Sequence, residues 1–128
     1  MTKEQYYELG KQILDSCIAV HKELGPGLLE SVYVYALIKE FELRDIKATY
    51  KIAVPLFYKG YNTGKNYEID LLIEREIILE AKAVDIMHPV YEAQLISYLK
   101  LSNKKLGYLV NFNVPLLKNG FRRFVNNF

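Results

Sequence analysis

Cysteine is almost missing from this chain, and long apolar runs are missing altogether. A single cysteine, Cys17, excludes an internal disulfide framework and suits a reducing cytoplasm. No apolar run approaches the roughly 20 residues that span a bilayer. The opening Met1-Thr2-Lys3-Glu4-Gln5-Tyr6 has no apolar stretch of the kind a signal peptide needs. The expectation is cytoplasmic residence with no membrane partner. Repeats, low-complexity tracts and an evident linker are absent too. A length of 128 residues leaves little material for a second core, so one domain over 1–128 is expected.

Acid is missing from one end. From Lys100 onward the chain carries Lys100, Lys104, Lys105, Lys118, Arg122 and Arg123 and no Asp or Glu, a net of +6 against −4 for residues 1–99. Such asymmetry marks either a face that meets a polyanion or a solvated basic tail. On the first reading Lys104, Lys105, Arg122 and Arg123 contact nucleic acid.

Apolar periodicity gives the elements. Tyr6, Leu9, Ile13, Cys17, Val20 and Leu24 recur at helical spacing and predict a helix over about 5–23. Gly25-Pro26-Gly27 ends it. A second helix is expected from about Leu28 to Leu43. Four strand-like segments follow, at Ala48–Val54, Leu56–Tyr61, Tyr67–Ile73 and Ile77–Ala83, with Asn62-Thr63-Gly64-Lys65 as a hairpin loop. Pro89 opens a third helix to about Leu101, Leu106–Phe112 reads as a buried strand, and Gly120–Val125 as an edge strand. The order α-α-β-β-β-β-α-β-β describes a compact α/β domain with a mixed sheet.

Two strands carry acids inside apolar runs: Asp70 in Glu68-Ile69-Asp70-Leu71-Leu72-Ile73, and Glu80 in Ile77-Ile78-Leu79-Glu80-Ala81-Lys82-Ala83. Alternation puts Glu80 and Lys82 on one face and Leu79, Ala81 and Ala83 on the other. An unpaired buried carboxylate costs several kcal/mol, and two facing each other cost more. Mg²⁺ or Mn²⁺ removes that cost, since carboxylate oxygens are their natural ligands; an ion pair with Lys82 is the plainer alternative. The metal reading makes a geometric demand. A two-residue loop at Glu74-Arg75 opposes Asp70 to Leu79 and puts the acids on opposite faces. A three-residue loop, Glu74-Arg75-Glu76, or a bulge opposes Asp70 to Glu80. This second arrangement, with the two acids opposed, is expected.

Asp70, separated by nine residues from Glu80-Ala81-Lys82, resembles the D…(D/E)-x-K core of the PD-(D/E)XK nuclease superfamily. Gly25-Pro26-Gly27-Leu28-Leu29-Glu30-Ser31-Val32-Tyr33, preceded by Val20-His21, is similar to the signature of the small bacterial GxxExxxY group. Val34 stands where that label puts tyrosine, between Tyr33 and Tyr35. Gln94 and Tyr98 resemble the Q-x-x-x-Y motif of the exonuclease branch, and Ile69 replaces the proline of "PD". The likeness spans roughly residues 15 to 112.

The resemblance implies a restriction-endonuclease-like core and hydrolysis of phosphodiester bonds in nucleic acid, DNA favoured, in repair, recombination or defence. It implies Asp70, Glu80, the Ala81 carbonyl and Glu30 as holders of Mg²⁺ or Mn²⁺. Lys82 would position or activate the attacking water, with Gln94, Tyr98 and Tyr33 near the nucleic acid. Plainer roles stand beside these: helix N-terminal charge stabilisation for Glu30, a surface amide for Gln94, a core ring for Tyr98. His21 reads as structural and His88 as part of a helix cap. Some of the 11 tyrosines offer stacking surfaces, though most read as core or rim. A silent nucleic-acid- or protein-binding module on the same fold is the rival reading. A homodimer or an unidentified protein partner is compatible with either.

Overall fold

The computed structural model describes all of residues 1–128. Helix α1 (Lys3–Leu24) starts at a capping box: the Gln5 amide donates to Thr2 Oγ1 (3.1 Å) and the Thr2 amide to Gln5 Oε1 (2.8 Å). Its stripe of Tyr6, Leu9, Ile13, Cys17 and Val20 is buried. Gly25, at φ 69°, ends it in a conformation that glycine adopts without strain.

Helix α2 (Glu30–Leu43) begins two residues later than its apolar pattern suggests, with Leu29 as an N-cap that makes no side-chain bond. The turn between the helices is held instead by Tyr33. Its hydroxyl donates to the Gly25 carbonyl (2.5 Å) and accepts from the Leu28 amide (3.1 Å).

Strands β1 (Ala48–Tyr58), β2 (Tyr61–Ile73) and β3 (Ile77–Lys82) come next. Three strands therefore stand where four were expected. Pro55 does not end β1, because β1 is the edge of the sheet and an edge strand has one side with no ladder to interrupt. The turn is Lys59-Gly60, both at positive φ, between the paired Tyr58 and Tyr61. The turn-like Asn62-Thr63-Gly64-Lys65 is a bulge inside β2: pairing passes from Pro55↔Asn66 to Phe57↔Asn62. The signal was a real irregularity at the wrong kind of site.

Helix α3 (Pro89–Ser102) has His88 as N-cap, its Nδ1 accepting from the Val90 amide. Strand β4 (Leu106–Asn111), a short 3₁₀ turn at Leu117–Gly120 and β5 (Phe121–Val125) complete the chain. The five strands lie in sequence order, with β3 and β4 parallel and the other pairs antiparallel. This mixed sheet flanked by helices is a restriction-endonuclease-like core.

The two faces differ in depth. On the α1/α2 face, 20 buried residues form one cluster, among them Leu71, Ile73, Leu79, Ala81 and Val110. The α3 face has a cluster of six, built on Tyr67, Ile69, Ile78, Leu95, Leu99 and Leu109. The thin layer leaves room at its end for polar side chains, and the site lies there.

Candidate active site

The β2–β3 ladder runs Ile73↔Ile77, Leu72↔Ile78, Leu71↔Leu79 and stops. That register is the one a three-residue turn produces, and Glu74 and Arg75 take left-handed φ of 51° and 61° to make it. Glu74 also anchors the turn to the chain before β1, through Lys47. One step past the end of the ladder, side chains replace main chain. The Asp70 amide donates to Glu80 Oε2 (3.1 Å), and the Ala81 amide donates to Asp70 Oδ2 (3.0 Å). Each carboxylate is thus held by the opposite strand, and the two lie side by side.

β2 changes face at this point. Tyr67 and Ile69 pack with the α3 cluster, Leu71 and Ile73 with the α1/α2 cluster. Strict alternation would keep all four on one side. The break falls at Asp70, and opposite it Lys51 takes φ 53°, the two residues standing outside the ladder between the pairs Tyr50↔Leu71 and Ile52↔Ile69.

Asp70, Glu80 and Lys82 line one cavity of about 50 Å³ with Glu68, Tyr91, Gln94, Leu95 and Tyr98. Gln94 and Tyr98, four apart on α3, so share the site as their spacing predicts. Tyr98 stacks on Tyr67, centroids 4.5 Å apart. Burial pushes its phenol up, and the charges of Glu80 and Asp70 push it the same way.

Glu80 is 5% exposed. Burial, then the hydrogen bonding and charge of Asp70, raise its carboxyl above neutrality, and Lys82 offsets this only in part. Lys82 makes no ion pair: its Nζ lies 4.9 Å from the centroid of the Tyr91 ring. The plainer explanation of the acid–lysine cluster, a closed salt bridge, is therefore not what the side chains form. Two hard oxygen ligands beside a cavity, one of them buried with no ion pair, fit a divalent cation.

Glu30 is half-buried at the N-terminus of α2, outside the cavity lining. Burial raises its carboxyl, Lys82 lowers it and Asp70 raises it, so it shares their field. No group of three His, Cys, Asp or Glu side chains is gathered closely enough to form a metal shell.

Other expected contacts are dispersed. Tyr33 does not reach the surface; it is wholly buried, stacked on Phe112 at 4.5 Å, and braces the interhelical turn. The basic C-terminal residues do not form one face. Lys104 donates to the Arg75 carbonyl, and Lys105 lies beside it before β4, both at the end of the strands away from the acids. Arg122 pairs with Glu92 of α3. Arg123 lies over Phe128 and Tyr7 on the α1 side. Side-chain alternation along β5 separates the two arginines.

His21 is structural, its Nε2 within 2.8 Å of the Val114 carbonyl oxygen. Asn111 was unforeseen: buried, it donates to the Val84 carbonyl and accepts from the Val84 and Asn113 amides, fixing the loop that follows Lys82. An amide side chain in the apolar run Leu-Gly-Tyr-Leu-Val-Asn-Phe was the available signal. Tyr91, Glu68 and Lys51 carried none, because their place depends on packing between elements.

A sequence model of the PD-(D/E)XK nuclease superfamily matches residues 7–124, and the chain belongs to that superfamily. No curated protein and no solved structure matches it. No helix is long and apolar enough to cross a membrane.

Proposed function

We propose that this protein is a divalent-metal-dependent nuclease that hydrolyses phosphodiester bonds, most readily in DNA. The reading is carried by the reciprocal Asp70–Glu80 arrangement, which sets two carboxylates and Lys82 on one cavity. Asp70 and Glu80 would hold Mg²⁺ or Mn²⁺, with the Ala81 carbonyl at the same strand end. Bound there, the cation would supply Lewis-acid chemistry for phosphodiester hydrolysis. Lys82, free of an ion pair, orients the attacking water and neutralises charge developing on the phosphate. Gln94 and Tyr98 border the substrate. Glu30 joins through the field it shares with Asp70 and Lys82.

Membership of the GxxExxxY group, supported by Gly27 and Glu30, is the finer placement, and a cytoplasmic setting in repair, recombination or defence goes with it. Mn²⁺- or Mg²⁺-dependent cleavage of single- and double-stranded DNA tests the reading. Asp70→Ala and Lys82→Ala are each expected to lower the rate by at least a hundredfold; unchanged cleavage by both variants refutes it. The silent-module reading draws on Glu30 lying outside the cavity, and cation binding without cleavage of any substrate would favour it.

A further inference from the structure

The β1–β2 hairpin outgrows the sheet. β2 pairs with β3 only over Leu71–Ile73, so the remainder of its 13 residues has β1 as its one strand neighbour. Tyr67 and Ile69 rest this ribbon on α3. Beyond them, from Pro55 to Asn66, only Leu56 is even partly covered. Tyr58 is 65% and Tyr61 77% exposed, and the two pair directly across the turn, so they share a face. Phe57, 55% exposed, lies next to them.

The charge of this arm has one sign. Residues 46–67 contain Lys47, Lys51, Lys59 and Lys65 and no acid, although the chain up to residue 99 is acidic overall. Lys59 Nζ lies 5.5 Å from the Tyr58 ring centroid. Lys51, at the base, stands opposite Asp70 and within electrostatic reach of both Asp70 and Glu68. A row of lysines thus begins beside the acid pair and runs outward past paired aromatic rings.

We propose that the β1–β2 arm binds an unpaired strand of nucleic acid, with bases stacked on Tyr58 and Tyr61 and phosphates met by Lys51, Lys59 and Lys65. Exposed rings interleaved with lysines suit single strands, whose bases have free faces; a duplex has already stacked its own. The nine steps from Asp70 to Tyr61 extend about 30 Å, less the slack of the bulge, enough for several nucleotides. The proposal rests on the reading of the acid pair as a phosphodiester-cleaving site and gives that site its substrate form.

The test is fluorescence anisotropy of a labelled oligothymidine and of a blunt duplex with the full chain in EDTA, followed by cleavage of both in Mn²⁺. The single strand is expected to bind at least tenfold more tightly than the duplex. Tyr58→Ala/Tyr61→Ala should lose tenfold or more for the single strand, since both stacking platforms are removed. Lys59→Ala/Lys65→Ala should flatten the slope of log K against log salt by about 1.4, two phosphates at about 0.7 each. Circular dichroism melting checks that both variants fold, and Lys59→Gln repeats the salt test with a milder change. Arm variants that bind and cut single strands like the wild type overturn this proposal and leave the acid-pair reading intact. Cleavage that survives Asp70→Ala overturns the acid-pair reading, whatever the arm binds. Equal affinity for the duplex, or binding to phosphatidylserine vesicles and not to the oligonucleotide, also overturns the assignment of the arm.

Discussion

Replacing Glu80 by glutamine removes the titrating carboxyl while keeping the shape and the oxygen that accepts from the Asp70 amide. The new amide group also offers a donor to the neighbouring Asp70 carboxylate. In the wild type without a cation, burial and Asp70 hold the Glu80 carboxyl far above the usual carboxylate range. Between the unfolded and folded values the native state binds one more proton than the unfolded chain. Stability conferred by the protonated form is therefore complete below about pH 4.5 and is lost progressively as pH rises toward the folded value. One proton corresponds to about 1.4 kcal/mol per pH unit. With an unfolding entropy of about 2.1 cal/mol/K per residue, roughly 0.27 kcal/mol/K for this chain, the slope is about 5 °C in Tm per pH unit. Thermal melting by circular dichroism from pH 5.5 to 7.5, in EDTA, measures it. The wild-type Tm should fall relative to Glu80→Gln by about 10 °C across that range, and the variant should be the more stable at pH 7.5. Adding Mn²⁺ to a hundred times its Kd should restore about 2.7 kcal/mol, or about 10 °C, to the wild type and far less to the variant. Parallel pH profiles for the two proteins would refute the account of Glu80 as a buried acid that keeps its proton on folding.

Other expectations concern the frame around the site. Gly120→Ala places a Cβ against the Asn111 carbonyl, which belongs to main chain and cannot move aside cheaply; a loss of about 2–3 kcal/mol in urea unfolding is expected. Tyr33→Phe removes a donor to Gly25 and an acceptor for Leu28 and should cost about 1–2 kcal/mol, with DNA affinity unchanged in EDTA. Arg122→Ala breaks a solvent-exposed pair with Glu92, 58% exposed on the arginine side, and should shift stability by less than about 1 kcal/mol.

The acid pair was legible because it violates a strong local rule. Carboxylates in apolar strands are expensive, and opposing Asp70 to Glu80 takes either a bulge or the turn Glu74-Arg75-Glu76, the second of which the chain adopts. The stripe of α1 was legible for a similar reason, since Tyr6, Leu9, Ile13, Cys17 and Val20 obey one period throughout. What escaped depends on neighbours distant in sequence. Pro55 reads as a strand end until β1 is known to be an edge. Asn62-Thr63-Gly64-Lys65 is the stronger turn signal, yet Lys59-Gly60 makes the turn, because the bulge absorbs the other irregularity. The C-terminal cations look like a patch in one dimension, whereas strand alternation and the length of β4 scatter them. Tyr33 sits in a motif and yet works as a brace, a distinction only its burial reveals.

The turn at Glu74–Glu76 has a consequence for how such a chain can drift. Surface loops ordinarily absorb insertions and deletions with little effect. This one is a spacer whose length sets the side of the sheet on which Asp70 emerges. Loss of a single residue there preserves a hairpin and its hydrogen bonds but separates Asp70 from Glu80. A lineage could thus shed the acid pair in one genetic step without touching either acid, and retain a folded domain free to take up another task.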